Sequence, residues 1–396
     1  MRGFLRLSPM GKNLLILSSL HLIVDFFGGV WPIYKTICGM DIAKAGLIAG
    51  VTGFLGEGLQ IFFGFFCDRG FRKHVLIFGF LLTSSVLLIT CFHGYLFYFF
   101  ILLTFRIGSG AFHPAGYGYT GALTKKHRSK AILLFTSGGL LGWACSQMIF
   151  AKTLETFNGN PLILILPVIA LCAALFYNPL PEITITQKTP FKKIFTQFNN
   201  ERKTLSLLFL VQVSSYSLVL SLIFLLPDVL AAKTTDPWLK MGGGHFCYIL
   251  SGALVLPLVG TLCQRFNQKK IMIGALIFSV ILFYFLALTP TLTGAQGVLL
   301  LSLLGASLNS VSPMILSWGV QIAPNSPSSI SAILLGFAWS VSNFGPFCAG
   351  VLYKAFKMNS EIKTLSCLGI LLIIAIAIAW ITPAEELTTQ PEESIS

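Results

Sequence analysis

Twelve times along this 396-residue chain an apolar run of helical membrane length begins and ends, with short polar or basic segments between. About 20 apolar residues are needed to cross hydrocarbon as an α-helix. A bilayer interior offers the backbone no hydrogen-bond partners, so a spanning segment must satisfy itself as helix or closed barrel. Alternating ten-residue strand patterns are absent, which excludes a barrel. Charged residues make up 10% of the chain and 55% are hydrophobic. A soluble domain carries about a quarter charged residues. The chain therefore reads as an all-α integral membrane protein.

The expected spans lie near 13–35, 43–67, 74–92, 95–122, 130–152 and 160–178, then 203–229, 243–263, 270–289, 295–322, 328–354 and 363–382. Residues 1–178 form an N-terminal six-helix bundle and 203–382 a C-terminal one. The polar stretch 179–202 links them, and 383–396 is an acidic tail. The N-terminal apolar run holds His21 and Asp25 and has no small-residue cleavage site after it, so it reads as an uncleaved first helix.

The net charge of +13 does not point to nucleic acid. With the N-terminus inside, inner segments hold about 18 Lys and Arg and outer segments about 8. Both termini are therefore expected in the cytoplasm. The nine cysteines are scattered, odd in number and without metal-site spacing. No metal or cofactor is expected, and no catalytic motif or nucleotide-binding loop marks an enzyme or an ATP-driven pump.

The halves repeat. Gly64-Phe-Phe-Cys67-Asp68-Arg69 returns as Gly260-Thr-Leu-Cys263-Gln264-Arg265, Ala131-Ile-Leu-Leu134 as Ala332-Ile-Leu-Leu335, and His113-Pro114 as Ser312-Pro313. Internal repeats of membrane helices mark transporters, whose binding site lies near the midplane between the repeats.

The ionisable residues deep in apolar runs are His21, Asp25, Glu57, Arg106 and His113, all in the first third. Such residues are costly in lipid and mark pathways for ions or substrate. His21 and Asp25 are four apart and share a helix face. Asp25 can carry a proton and His21 can share it. Arg106 keeps its charge. It either holds an anionic solute or pairs with Asp25 or Glu57. Glu57 is either a second proton site or a structural partner of Arg106. Gln212, Tyr216, Asn309, Trp339 and Asn343 are candidates for a neutral and aromatic wall contributed by the second half. Asp228 and His245 fall near span ends, where water is expected, and receive no role. The small residues Ser137-Gly138-Gly139 and Gly142 suit close helix contact.

Gly64-xxx-Asp68-Arg69-xx-Arg72-Lys73 resembles the loop signature of the major facilitator superfamily, G-x-x-x-D-R-x-G-R-R/K, with Phe71 at the second glycine position and Gly70 just before it. The resemblance implies twelve transmembrane helices in two pseudo-symmetric six-helix bundles. It also implies a gating role for Gly64, Asp68, Arg69 and Arg72. His21-xxx-Asp25 and Phe112-His113-Pro114 are similar to the fosmidomycin-resistance-type branch, although Ala115 and Gly116 follow where an acidic residue is usual. That likeness implies proton-driven efflux of a small organic, drug-like or anionic solute; His21, Asp25 and His113, with Glu57 from its mid-helix position, are the proton-coupling candidates. The same carboxylate chemistry serves an uptake symporter for a nutrient or metabolite, and residue chemistry does not separate the two directions. A monomer in a bacterial inner membrane is the expected setting.

Overall fold

The computed structural model describes residues 8–123, 128–181, 202–322, 330–356 and 360–383. The linker 182–201 and the tail beyond 383 lie outside the described residues. Ten helical stretches are long and apolar enough to span a membrane, and Leu162–Tyr177 is a shorter apolar helix. One of the ten, Ile42–Thr90, has 49 residues. At about 1.5 Å per residue it would overrun the hydrocarbon twofold. It is broken at Gly70, whose φ of +99° is a left-handed conformation that a side chain disfavours. The resulting twelve helices are α1 (Pro9–Ile37), α2 (42–66), α3 (72–90), α4 (Tyr95–Leu123), α5 (Arg128–Thr156), α6 (Leu162–Tyr177), α7 (Arg202–Lys233), α8 (Gly244–Arg265), α9 (Gln268–Leu288), α10 (Gly294–Ile322), α11 (Ile333–Ala355) and α12 (Ser360–Ile381).

Local chemistry fixes the helix ends. The Gly11 amide donates to Ser8 Oγ at 3.2 Å, with Pro9 at the first helical position of α1. Asp41 caps α2 by accepting from the Lys44 amide at 3.0 Å. Thr293 and Gln296 close a capping box at the start of α10. Lysines cap two C-terminal ends. Lys233 Nζ donates to Ala287 O at 2.9 Å and Thr289 O at 2.5 Å, beyond α9. Lys269 Nζ donates to Trp380 O at 2.8 Å and Thr382 O at 2.6 Å, beyond α12. An ammonium suits the negative end of the helix dipole.

The contact pattern has two-fold logic. Within the first half α1 packs on α5, α2 on α4 and α3 on α4. Within the second half α7 packs on α11, α8 on α10 and α9 on α10. The halves meet where α2 faces α11, α5 faces α8 and the end of α1 faces α7. In lipid there is no hydrophobic drive between helices, so close backbone approach through small residues carries the packing. A Cβ on Gly46 would meet the Pro346 carbonyl, and one on Gly53 the Asn343 side chain. Gly138 and Gly142 of α5 lie against the Ser18 and Leu22 carbonyls of α1 in the same way.

At the face opposite the N-terminus, ion pairs tie the halves together. Lys35 of α1 pairs with Asp228 of α7, its side chain fully buried and that of Asp228 12% exposed. Thr36 Oγ1 donates to the other Asp228 oxygen at 2.9 Å, and the Phe224 ring lies 4.6 Å from the ammonium. Lys354 of α11 reaches Asp41 at 2.5 Å in a more exposed pair. Nearby, His245 donates through Nε2 to the Trp143 carbonyl at 2.8 Å, joining α8 to α5. The expectation that Asp228 and His245 sit in water is corrected here. Both are enclosed because the helix ends of the two halves press together on this face.

Candidate functional site

The five ionisable residues of the first half converge where its inner surface faces the second half. Asp25 lies between two imidazoles. His21 Nε2 stands 3.1 Å from Asp25 Oδ2, and His113 Nε2 stands 3.2 Å from Asp25 Oδ1. His21 Nδ1 is 2.8 Å from the Phe135 carbonyl of α5. His113 Nδ1 is 2.8 Å from the Ser109 carbonyl of α4. A carbonyl only accepts, so each Nδ1 carries a proton.

That assignment fixes the proton count. A neutral imidazole has one N–H, already used at Nδ1. Each Nε2–carboxylate contact therefore needs a further proton, held by the imidazole or by Asp25. The group is satisfied when two protons are shared among His21, Asp25 and His113. With one fewer, one contact sets lone pair against lone pair and must part. Asp25 belongs to α1 and His113 to α4, so the group joins two helices.

The sequence builds this cradle locally. Four-residue spacing sets His21 and Asp25 on one face of α1. The Phe135 ring stacks on His21 at 4.1 Å between centroids. Gly139, one turn beyond Phe135, leaves the room. A Cβ there would fall on Asp25 Oδ2 and His21 Nε2. His21, Asp25 and His113 have ligand atoms within 4.8 Å of one another, a composition a transition metal accepts. Each Nε2 faces its own carboxylate oxygen at hydrogen-bond distance.

The network continues toward α2. Ser109 Oγ lies 3.3 Å from His113 Nδ1 and donates to Glu57 Oε1 at 3.2 Å. Arg106 Nη1 donates to the same oxygen at 3.3 Å, and Gln60 donates to Oε2. Glu57 is met by three side-chain donors. Arg106 is thus a partner of Glu57 and not of Asp25. Gly56 lets α2 approach the Arg106 backbone. Ser109 is the member that sequence reasoning missed. Its signal is its place four residues before His113 and three after Arg106 on one face of α4.

From the second half, Tyr216 of α7 and Trp339 of α11 stack with centroids 5.1 Å apart and planes at 14°. Gln212, one turn from Tyr216, is fully buried and donates to Ser312 Oγ at 2.7 Å. Asn309 Nδ2 donates to the Tyr248 carbonyl at 3.1 Å, and Asn343 Nδ2 to the Trp339 carbonyl at 2.8 Å. The Asn309 amide joins α10 to α8, whereas the Asn343 amide bonds a carbonyl of its own helix. Asp25, Arg106, His113, Tyr216 and Trp339 are all partly exposed, although they lie at mid-helix depth.

At the turn between α2 and α3, Asp68 is 64% exposed and meets Arg72 of its own turn at 3.6 Å. Arg72 Nη1 donates to the Gly118 carbonyl of α4 at 3.3 Å. The Arg69 guanidinium lies over the Phe65 ring at 3.2 Å, and Gly64 lies beside Pro114.

Residues 14–346 match the family model described as Major Facilitator Superfamily. A relative from Bacillus subtilis (strain 168), the uncharacterised MFS-type transporter YfnC, is 24% identical over 382 residues, covering 91% of each chain. Among solved structures, a bacterial homologue of the human lysosomal transporter Spinster, inward-facing and occupied, superposes with a TM-score of 0.75 at 15% identity, over 94% of this chain and 96% of that one. The nucleoside transporter NupG, as a point mutant, gives 0.74 at 13% identity, over 93% and 97%. These structural likenesses speak to the fold.

Proposed function

Since this chain belongs to the Major Facilitator Superfamily, a family of multi-pass membrane transporters and not enzymes, we propose that it is a proton-coupled secondary transporter that exports a small organic solute by alternating access. One observation carries this reading: both imidazole Nε2 atoms converge on Asp25 while both Nδ1 atoms are held by backbone carbonyls. A group that needs two protons to hold its geometry, facing a water-accessible space, is suited to load and release one.

In this proposal the His21–Asp25–His113 group exchanges a proton with water on the open side. Loss of that proton loosens α4 from α1. Ser109 passes the change to Glu57, which then shares Arg106 with an anionic solute. The Lys35–Asp228 and Lys354–Asp41 pairs hold the opposite face closed meanwhile. The Arg72–Gly118 contact, with Asp68 and Arg69, belongs to the gate on the N-terminal face. The basic segments on that face support cytoplasmic termini in a bacterial inner membrane, with bundles at 1–178 and 203–382, a linker at 179–202 and a monomeric carrier. Outward movement is supported by the likeness at 21–25 and 112–114.

The test is fosmidomycin accumulation in an efflux-deficient bacterium carrying empty vector, wild type or Asp25→Asn. Lower accumulation with wild type, restored by the variant, is the expected result. Higher accumulation with wild type would reverse the direction to uptake. No difference at confirmed expression would remove the drug-like assignment.

A further inference from the structure

Between the inner surfaces of the two halves, the partly exposed groups are unlike. On the first half Arg106 is held by a single long hydrogen bond. Among the described residues its hydrogen-bond partner is Glu57, at 3.3 Å through one Nη. A guanidinium has five N–H donors in a planar fork that matches a carboxylate bidentately. Most of that fork is therefore unclaimed, on a side chain 23% exposed. At the same level of the interface, where Ser340 Oγ donates to the Phe54 carbonyl of α2 at 2.7 Å, the second half carries the parallel Tyr216–Trp339 stack. Trp339 Nε1 is buried without a hydrogen-bond partner, and so is Gln212 Oε1 one turn from Tyr216. Buried polar atoms are nearly always paired, so the indole donor and the amide acceptor are each left with unused hydrogen-bonding capacity.

We propose that this space takes a planar aromatic monoanion, its carboxylate on Arg106 and its ring against the Tyr216–Trp339 stack. The inference rests on the transporter reading above and narrows its solute class. An aliphatic acid would satisfy the guanidinium and leave the π-faces without a matching surface. A neutral ring would stack and leave Arg106 with Glu57. Offset stacking rewards a flat ring beyond the area it buries. The ring also excludes water from around the guanidinium, which strengthens the charge-assisted bonds.

The experiment is isothermal titration of the purified full chain in lipid nanodiscs with three probes. 1-Naphthoate carries ring and charge, cyclohexanecarboxylate the charge alone, and 1-naphthamide the ring alone. Naphthoate is expected to bind about tenfold tighter than either. Trp339→Leu should bring naphthoate down to cyclohexanecarboxylate and leave the latter unchanged. Trp339→Phe should keep most of the preference, which guards against a merely misfolded variant. Arg106→Gln should remove the acid-over-amide preference. Equal binding of the two acids would overturn the aromatic wall. Equal binding of acid and amide would overturn the anion site. No binding by any probe would overturn both. Repeating the titration in buffers of different ionisation enthalpy counts protons exchanged on binding. Selective binding with no proton exchange would leave this inference standing and sink the proton-coupled reading.

Discussion

Replacing Asp228 by leucine should open the closed face. Lys35 is fully buried, and its ammonium is satisfied by Asp228, by Thr36 Oγ1 at 3.0 Å and by the Phe224 ring. Removing one partner of a buried ion pair costs about 3–5 kcal/mol, because the other charge is left unpaired. The cost falls on the closed state alone, since opening this face would hydrate Lys35. Taking about 3 kcal/mol, the equilibrium shifts roughly a hundredfold, at 1.4 kcal/mol per factor of ten. An open state populated to about one part in a hundred would rise to about half. Replacing both residues, as Lys35→Met with Asp228→Leu, leaves no unpaired charge and is predicted to restore closure, because apolar replacements of buried pairs are often neutral or stabilising. The assay is double electron–electron resonance between spin labels at Lys152 and Trp238, on opposite halves at this face, in a background freed of reactive cysteines. The single variant should show a second, longer distance and the double variant should not. A single variant as closed as wild type, or a double variant as open as the single, would refute the reasoning.

Four further outcomes follow from the same geometry. Asp41→Asn breaks a pair whose Lys354 side chain is 60% exposed, so the same distance measurement should show at most about 1 kcal/mol of opening. The Lys354 hydrogen bond, helped by the Lys44 amide, holds the Asp41 carboxyl below its ordinary value; a depressed folded value means the contribution is present at neutral pH and lost only as acidification passes below that value, so this clamp should be unchanged from pH 6 to 8 in spin-label distances. Lys233→Met strips the donors from Ala287 O and Thr289 O and should lower stability by about 1.5–3 kcal/mol, read as a fall in Tm of the purified protein. Gly139→Ala drives a methyl group into His21 and Asp25, an overpacking worth about 1–3 kcal/mol, and should abolish proton-driven transport in a protein that still elutes as a single species; wild-type coupling would contradict the cradle as described.

Much of this was legible in the sequence, because membrane helices declare themselves by length and composition. The spans, the duplicated loop at 64–69 and 260–265, and the concentration of charge in the first half all needed only local pattern. The His21–Asp25 face followed from four-residue spacing. What local pattern does not carry is which helices meet. His113 and Asp25 are 88 residues apart, and their contact depends on α1 lying beside α4. Lys35 and Asp228 each look like ordinary residues at a span end, and only the meeting of α1 with α7 turns them into a buried pair. The glycines of α5 were readable as a close-contact surface, but that Gly139 clears space for a carboxylate and an imidazole depends on the register against α1. Asn309 shows the converse: a polar residue in an apolar helix whose amide the packing engages.

The most direct measurement is of ΔpH in energised everted membrane vesicles, followed by a fluorescent pH-gradient dye, with wild type and Asp25→Asn at equal expression and with fosmidomycin and 1-naphthoate added in turn. A transported solute should discharge part of the gradient with wild type and leave it intact with Asp25→Asn, and collapsing the gradient with nigericin should stop solute accumulation. Solute accumulation that persists without ΔpH, or that Asp25→Asn supports as well as wild type, would contradict proton coupling through the His21–Asp25–His113 group.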